Sequence, residues 1–263
     1  MRRAWLLGLL LPACAGDLPP PERIADLRIL AIRAEPPEGT VGTTVALDAL
    51  VVTPDPTTPV AQTWWACVAA GGTQEGPEAC ALSSPPTVAC GDEPEAAACS
   101  LGAGTAASYR LPQQALAGRA PGEAGQVFIV LLAADSVTTS VSNCAGALTG
   151  ATVPEGCRVA AKRISVFAME PATPNTNPTV SDLTIAGSQV SVTVPATAAD
   201  ATPDGPEALF LSWFVTAGDL SDFRTDAVGA GLTNSWTPPD TPGQVFIIVR
   251  DGRGGENWVS GQR

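Results

Sequence analysis

The chain has 263 residues, carries a formal net charge of −12 and contains no histidine. That balance excludes the electropositive footprint of a nucleic-acid-binding surface, and the missing imidazole excludes Ser-His-Asp, Cys-His and His-ligated metal hydrolase systems. The 26 glycines and 25 prolines punctuate short segments and leave little room for a helical layer, so composition points to an all-β fold.

At the N-terminus, Arg2 and Arg3 precede the apolar run Trp5 to Leu11, the charged start and short core of an export signal. The run is shorter than the roughly 20 apolar residues that cross a bilayer. It ends in Leu11-Pro12-Ala13-Cys14, which resembles the box of bacterial lipoprotein signals and departs from it at Pro12. The resemblance implies that residues 1–13 are removed, that Cys14 is acylated and that a lipid anchor holds the chain in the membrane; Ala15 behind the Cys implies the outer membrane. Small residues at Ala13 and Ala15 also fit ordinary secretory cleavage, which would leave the protein secreted or periplasmic. Residues 14–23, with Pro19, Pro20 and Pro21, read as a short stiff tether.

A first domain is expected over residues 24–168. Leu27 to Ala34 and Thr43 to Val52 are candidate strands around a turn region, and Trp64-Trp65 marks another. Ala66 to Ser108 holds four cysteines and almost no extended apolar run, so it reads as a long insertion that needs disulfides because its own core is too small. Pro112 to Ala117 supports one turn of helix. The strand Gly125-Gln-Val-Phe-Ile-Val-Leu-Leu follows, then a loop over Ser136 to Pro154. A last strand, Arg158 to Phe167, is read as placing Lys162 toward solvent.

Setting Cys14 apart leaves Cys67, Cys80, Cys90, Cys99, Cys144 and Cys157, an even set suited to disulfides in an oxidising compartment, although six cysteines permit fifteen pairings. Proximity suggests Cys144 with Cys157, and Cys80 with Cys90 nested inside Cys67 with Cys99. A metal cluster is the competing account, but the spacings lack a close CxxC pair. No metal and no cofactor is expected.

Residues 169–178, with Pro171, Pro174 and Pro178, read as an extended linker short enough to keep two bodies close. In the second domain, residues 179–263, Val180 to Ile185 and Gln189 to Pro195 flank a turn at Gly187. Val190, Val192 and Val194 share one face of their strand. Landmarks of the first domain then return: Gly243-Gln-Val-Phe-Ile-Ile-Val-Arg answers Gly125, Ser212-Trp213-Phe214 answers Thr63-Trp64-Trp65, and Trp236-Thr-Pro answers Tyr109-Arg-Leu-Pro more loosely. Two copies of one domain type are expected, as tandem antiparallel β-sandwiches, the first bearing the disulfide insertion. They resemble immunoglobulin-like or fibronectin-like domains with a Trp on a central strand, although the second copy has no cysteine pair. The opening Arg28-Ile-Leu-Ala-Ile-Arg-Ala-Glu-Pro-Pro with its paired tryptophans and Cys-rich insertion resembles repeats of exported Gram-negative lipoproteins. Trp236-Thr-Pro-Pro, Gly243 and Asp251-Gly-Arg-Gly-Gly resemble cell-surface sandwich repeats.

No catalytic residue emerges: the carboxylates are scattered through turns, and no pair stands out for glycosidase chemistry. Asp200, Asp204, Asp219, Asp222 and Asp226 cluster in candidate loops, where a solvated acidic surface outweighs a calcium site. Trp64, Trp65, Trp213 and Trp236 read as core, and Trp258 as the aromatic most open to solvent. The expectation is a membrane-anchored, non-enzymatic scaffold or accessory subunit of the bacterial envelope, binding an envelope protein partner. The alternative is a cell-surface adhesion or glycan-binding protein that contacts surface polysaccharide.

Overall fold

The computed structural model describes residues 19–69, 85–149, 153–227, 232–237, 239 and 241–263. The leader, Cys14 and Cys80 lie outside these. The N-terminal half contributes β1 (Arg28–Glu35), β2 (Glu38–Thr40), β3 (Thr44–Val52), β4 (Val60–Val68), β5 (Ala98–Ala103), β6 (Ala106–Arg110), β7 (Gly125–Asp135) and β8 (Cys157–Phe167). The C-terminal half contributes β9 (Ser181–Ala186), β10 (Gln189–Thr193), β11 (Ala201–Thr202), β12 (Gly205–Pro206), β13 (Phe210–Val215), β14 (Asp219–Leu220), β15 (Arg224–Asp226), β16 (Leu232–Thr237), β17 (Gln244–Arg250) and β18 (Glu256–Gln262).

Among the described residues, the first half forms one sheet ordered β1-β3-β6 and another ordered β2-β8-β7-β4-β5. The second half repeats the plan with β9-β10-β16-β14 and β18-β17-β13-β15, and adds the small β11-β12 hairpin. The neighbours pair antiparallel, except β2, which lies parallel to the end of β8. The sequence echo is therefore a topological one: β7 and β17 occupy the same place in their sheets, as do β4 and β13. Gly125 opens the echoed run for a steric reason, since a Cβ there would meet the Ala115 carbonyl oxygen at 2.0 Å.

Each half encloses its own apolar layer. In the first, Trp64, Ile129, Leu131 and Ile164 from one sheet meet Ile32, Val45, Leu47 and Tyr109 from the other. In the second, Trp213, Val245 and Ile247 meet Val190, Val192 and Trp236. The indoles are satisfied as well as buried: Trp64 donates to the Gly104 carbonyl at 2.7 Å, Trp213 to Thr225 Oγ1 at 2.9 Å and Trp236 to the Ala217 carbonyl at 3.0 Å. Tyr109 occupies the place in β6 that Trp236 takes in β16, but its hydroxyl has no partner among the described residues. Burial, reinforced by the Glu95 charge, raises its pKa.

The Cys-rich insertion is narrower than expected. β4 runs to Val68, β5 pairs with β4 and β6 with β3, so residues 66–68, 98–103 and 106–108 of the expected insertion belong to the sheets. The described part folds back on β5 through hydrogen bonds between Ser100 and both Val88 and Cys90. Here Cys99 is bonded to Cys90, which replaces the nested pairs suggested by proximity. Cys67, buried at the end of β4, is also disulfide-bonded. Cys144 and Cys157 form the local bridge that closes the second long loop.

Candidate functional site at the seam and the two ends

Period-two alternation sends every second residue of a strand to the opposite face. With Trp213, Val245 and Ile247 pointing into their own half, Phe214, Phe246 and Ile248 point out of it. They are not left in water: Ile24, Leu30, Ala31 and Val52 of the first half cover them, with Leu50 and Trp258 packed alongside. A β-bulge between Ile29 and Ala31 lets Leu30 and Ala31 face this seam while Ile32 and Ala34 remain in the first core. The outer face of the β1-β3 sheet thus lies on the outer face of the β13-β17 sheet.

A buried ionic cluster closes the seam. Glu256, at the start of β18, accepts from Lys162 Nζ at 2.7 Å, from Arg250 Nε at 3.0 Å and from the Ile32 amide at 3.2 Å. Arg250 also donates to the Leu30 carbonyl at 2.5 Å, so side chains of the second half satisfy the outer edge of β1. The expected solvent-facing Lys162 is corrected: it is 7% exposed. It shares strand parity with Ile164 and Val166, so its stem follows the core face of β8 and its ammonium emerges at the seam. Trp258 is likewise not an open platform, because it is half-buried with the Arg33 guanidinium 4.8 Å from its ring centroid. Arg33 continues to Asn257 Oδ1 at 2.8 Å and Asp48 Oδ2 at 2.9 Å.

The linker is pinned over the same seam. Asn177 donates to the Ala34 carbonyl and to Glu35, and accepts from the Glu256 amide. Arg253 reaches Glu207 at 2.7 Å and the Thr173 carbonyl at 3.0 Å. The turn supplying Arg253 is the tight one expected for Asp251-Gly-Arg-Gly-Gly: the Asp251 carboxylate accepts from the amides of Arg253, Gly254 and Gly255. A Cβ at Gly255 would meet that carboxylate at 2.1 Å. Glu207, nearly sealed at this point, is held above its ordinary pKa by burial, with Arg253 pulling the other way.

Strand directions sort the loops into two ends. The tether arrives at one: Val215 donates to the Glu22 carbonyl at 2.9 Å, Ile24 donates to the Val215 carbonyl at 2.8 Å, and Arg23 pairs with Asp219. The first half therefore begins by docking on the second. At this attachment end lies an open pocket of about 440 Å³ bordered by Asp26, Asp55, Asp135 and Arg158. Asp55 caps its own turn through Thr57 and Asp135 through Val137 and Thr138, and these hydrogen bonds hold both carboxyls below their ordinary pKa. Arg158 is engaged by Asp26. These four charges are thus spent on turns and an ion pair, and Glu155 is the remaining charged residue of the lining. The chain leaves β4 at the opposite end, since β4 runs nine residues from Val60, beside Asp135, to Val68, beside Val127. At about 3.3 Å per residue the two ends stand roughly 26 Å apart.

The other candidate residues are not brought together. Asp200 accepts from Thr176, Asp219 pairs with Arg23, and Asp222 accepts from Ser221. Among the described residues no group of three or more His, Cys, Asp or Glu side chains converges in a way that would hold a metal ion. No helix among them is long and apolar enough to cross a membrane.

The facing sheets, their strand order and the central tryptophans define an all-β sandwich fold of the immunoglobulin or fibronectin kind. No protein-family model matches the chain, and no curated protein matches it. Among solved structures it is similar to the D00-D0 domain of Intimin (12% identity, TM-score 0.27, covering 90% of this chain and 96% of that one). It is also similar to Clostridium thermocellum CbhA fibronectin(III)-like modules (14% identity, TM-score 0.25, 88% and 92%). A third is the Salmonella enterica SafA pilin in complex with the SafB chaperone (12% identity, TM-score 0.26, 90% and 97%). At such identities and scores the comparisons carry no functional argument, which rests on the chain itself.

Proposed function

We propose that this chain is a non-enzymatic recognition module of the bacterial envelope, of the adhesion type, anchored through acylated Cys14. Two immunoglobulin- or fibronectin-like sandwiches act as one unit and present loops to a partner. One observation carries the reading: the tether docks at one end, while β4 and β5, the strands that flank the Cys-rich segment, meet it at the other. A buried seam between the halves keeps that arrangement stiff. Trp258 is stacked under Arg33, so recognition falls to the presenting loops rather than to an aromatic sugar platform, and a protein surface is the favoured partner.

The test uses the chain from Ala15 onward, with and without residues 69–97, on whole cells and on purified envelope polysaccharide. The intact form adheres to cells, and the deletion abolishes adhesion while thermal unfolding stays cooperative. Equal adhesion by both forms overturns the role of the segment. Selective recovery of a single envelope protein from the protein's own membranes, without adhesion, returns the assignment to a scaffold. The anchor is checked separately by mass analysis of the native N-terminus, where an unmodified Gly16 start removes it.

A further inference from the structure

Beside the linker, at the presenting end, lies a cleft of about 380 Å³ bordered by Pro36, Thr40, Thr43, Pro171 and Pro174, with Asn175 among its lining residues. Its volume is in the range of small-ligand pockets. The polar groups around it are matched: the Asn175 amide donates to Glu38 at 2.8 Å, Thr176 binds Asp200 through both its amide and its hydroxyl, and Arg253 takes the Thr173 carbonyl. Two residues on, Asn177 uses both ends of its carboxamide. The Asn175 carboxamide differs: the residue is 2% exposed, and neither Nδ2 nor Oδ1 has a hydrogen-bond partner among the described residues. Leaving a buried donor and acceptor unmatched is destabilising, and here it occurs in a linker whose neighbouring polar groups are paired.

We infer that this cleft binds an extended peptide segment of the partner, with the backbone of one residue pairing to the Asn175 carboxamide. The inference rests on the reading of the chain as a recognition module and names its ligand chemistry. A carboxamide sets a donor beside an acceptor in one plane. In an extended chain the N–H and C=O of a single residue point to the same side and complement that pair, whereas a carboxylate or phosphate offers only acceptors and an ammonium only donors. Pro36, Pro171 and Pro174 supply apolar walls, and none of them has a backbone N–H to compete for the peptide. Glu38 is already engaged by Arg253 at 3.5 Å and by the Asn175 amide, so the pairing falls to the Asn175 carboxamide, with the exposed Glu170 at the cleft's border disfavouring an acidic segment. The occupied cleft requires a small shift of the linker to admit the peptide edge to the carboxamide.

The full mature chain is titrated with pools of acetyl-capped, amidated hexapeptides and, separately, with chito-oligosaccharides, while the Asn175 side-chain amide is followed by NMR. Peptides move that signal, and Asn175→Leu weakens peptide binding at least roughly tenfold, or ~1.4 kcal/mol, without lowering Tm, because leucine replaces two unmatched polar atoms. Three results overturn the inference: no peptide moves the signal, Asn175→Leu binds as before, or the variant loses Tm because the carboxamide already has a partner. Movement by the sugars alone overturns the peptide assignment. Peptide binding without cell adhesion defeats the adhesion reading only, and adhesion without peptide binding defeats this inference only.

Discussion

β7 and β17 carry nearly the same apolar run and both are buried on both faces, yet the outward faces are covered by different means. Outside β7, Val130, Leu132 and Ala134 lie with Trp65 under a local lid, the 3-10 segment Val141–Thr149 held by the Cys144–Cys157 bridge. Outside β17, Phe246 and Ile248 lie against the other half of the molecule. The first face is completed by a segment a few residues away in sequence, and the second by strands about two hundred residues away. The lesson is one of dependence: the first half closes its own sheet, while the second borrows its cover and is held to the lender by the Lys162–Glu256–Arg250 cluster.

The sharpest way to break that contrast is Glu256→Ala. It strands the buried Lys162, the half-buried Arg250 and the Ile32 amide, and removing one partner of a buried ion pair costs about 3–5 kcal/mol. The expected outcome is a matching loss in denaturant unfolding, with faster hydrogen exchange on both β1 and β17. Protection lost on β17 alone would show that the seam does not support β1. Restoring most of the loss with Lys162→Met and Glu256→Leu together would assign it to uncompensated charge.

A smaller effect is expected at the local lid. Replacing Cys144 and Cys157 together by serine opens a loop of sequence separation 13, worth about 3 kcal/mol for loops of this size. Exchange should quicken on β7 and β4 and remain unchanged on β17. A loss shared by β17 would mean that the two covers are not independent.

The smallest effect concerns pH, at Glu207 beside the seam turn. Its raised folded pKa means that the folded state holds this proton more tightly than the unfolded chain does. Its contribution therefore favours folding as pH falls from neutral through the folded pKa toward the ordinary value of 4.5. Asp55 and Asp135 act in the opposite sense: their lowered pKa values contribute stability above the ordinary 3.8 that is lost as pH falls through the folded values. Glu207→Gln should flatten the first limb of a stability–pH curve and leave the second in place. An unchanged first limb would remove Glu207 from the seam's electrostatics.

Much of this was legible in the residues. Alternation located β10, the echoed Gly-Gln-Val-Phe-Ile located β7 and β17, and paired tryptophans located the central strands. The seam was legible in principle and missed: an unbroken apolar run such as Val245 to Val249 has no polar face, and a strand without one is buried on both sides. Parity with Ile164 and Val166 likewise marked Lys162 as core-facing. The local Cys144–Cys157 bridge was legible from proximity, but the partner of Cys99 was not, because Cys90 and Cys99 meet through the fold-back of residues 85–97 on β5, and separation along the chain does not encode that turn. Nor was the cleft at Asn175, whose buried carboxamide is unmatched among the described residues.

Lys162 is the only lysine in the sequence, and it is sealed in the seam. An acylated N-terminus would leave the surface with no free primary amine. Amine-directed labels and cross-linkers would then pass over the native protein, and the appearance of a single labelled site would time the moment at which its two halves part.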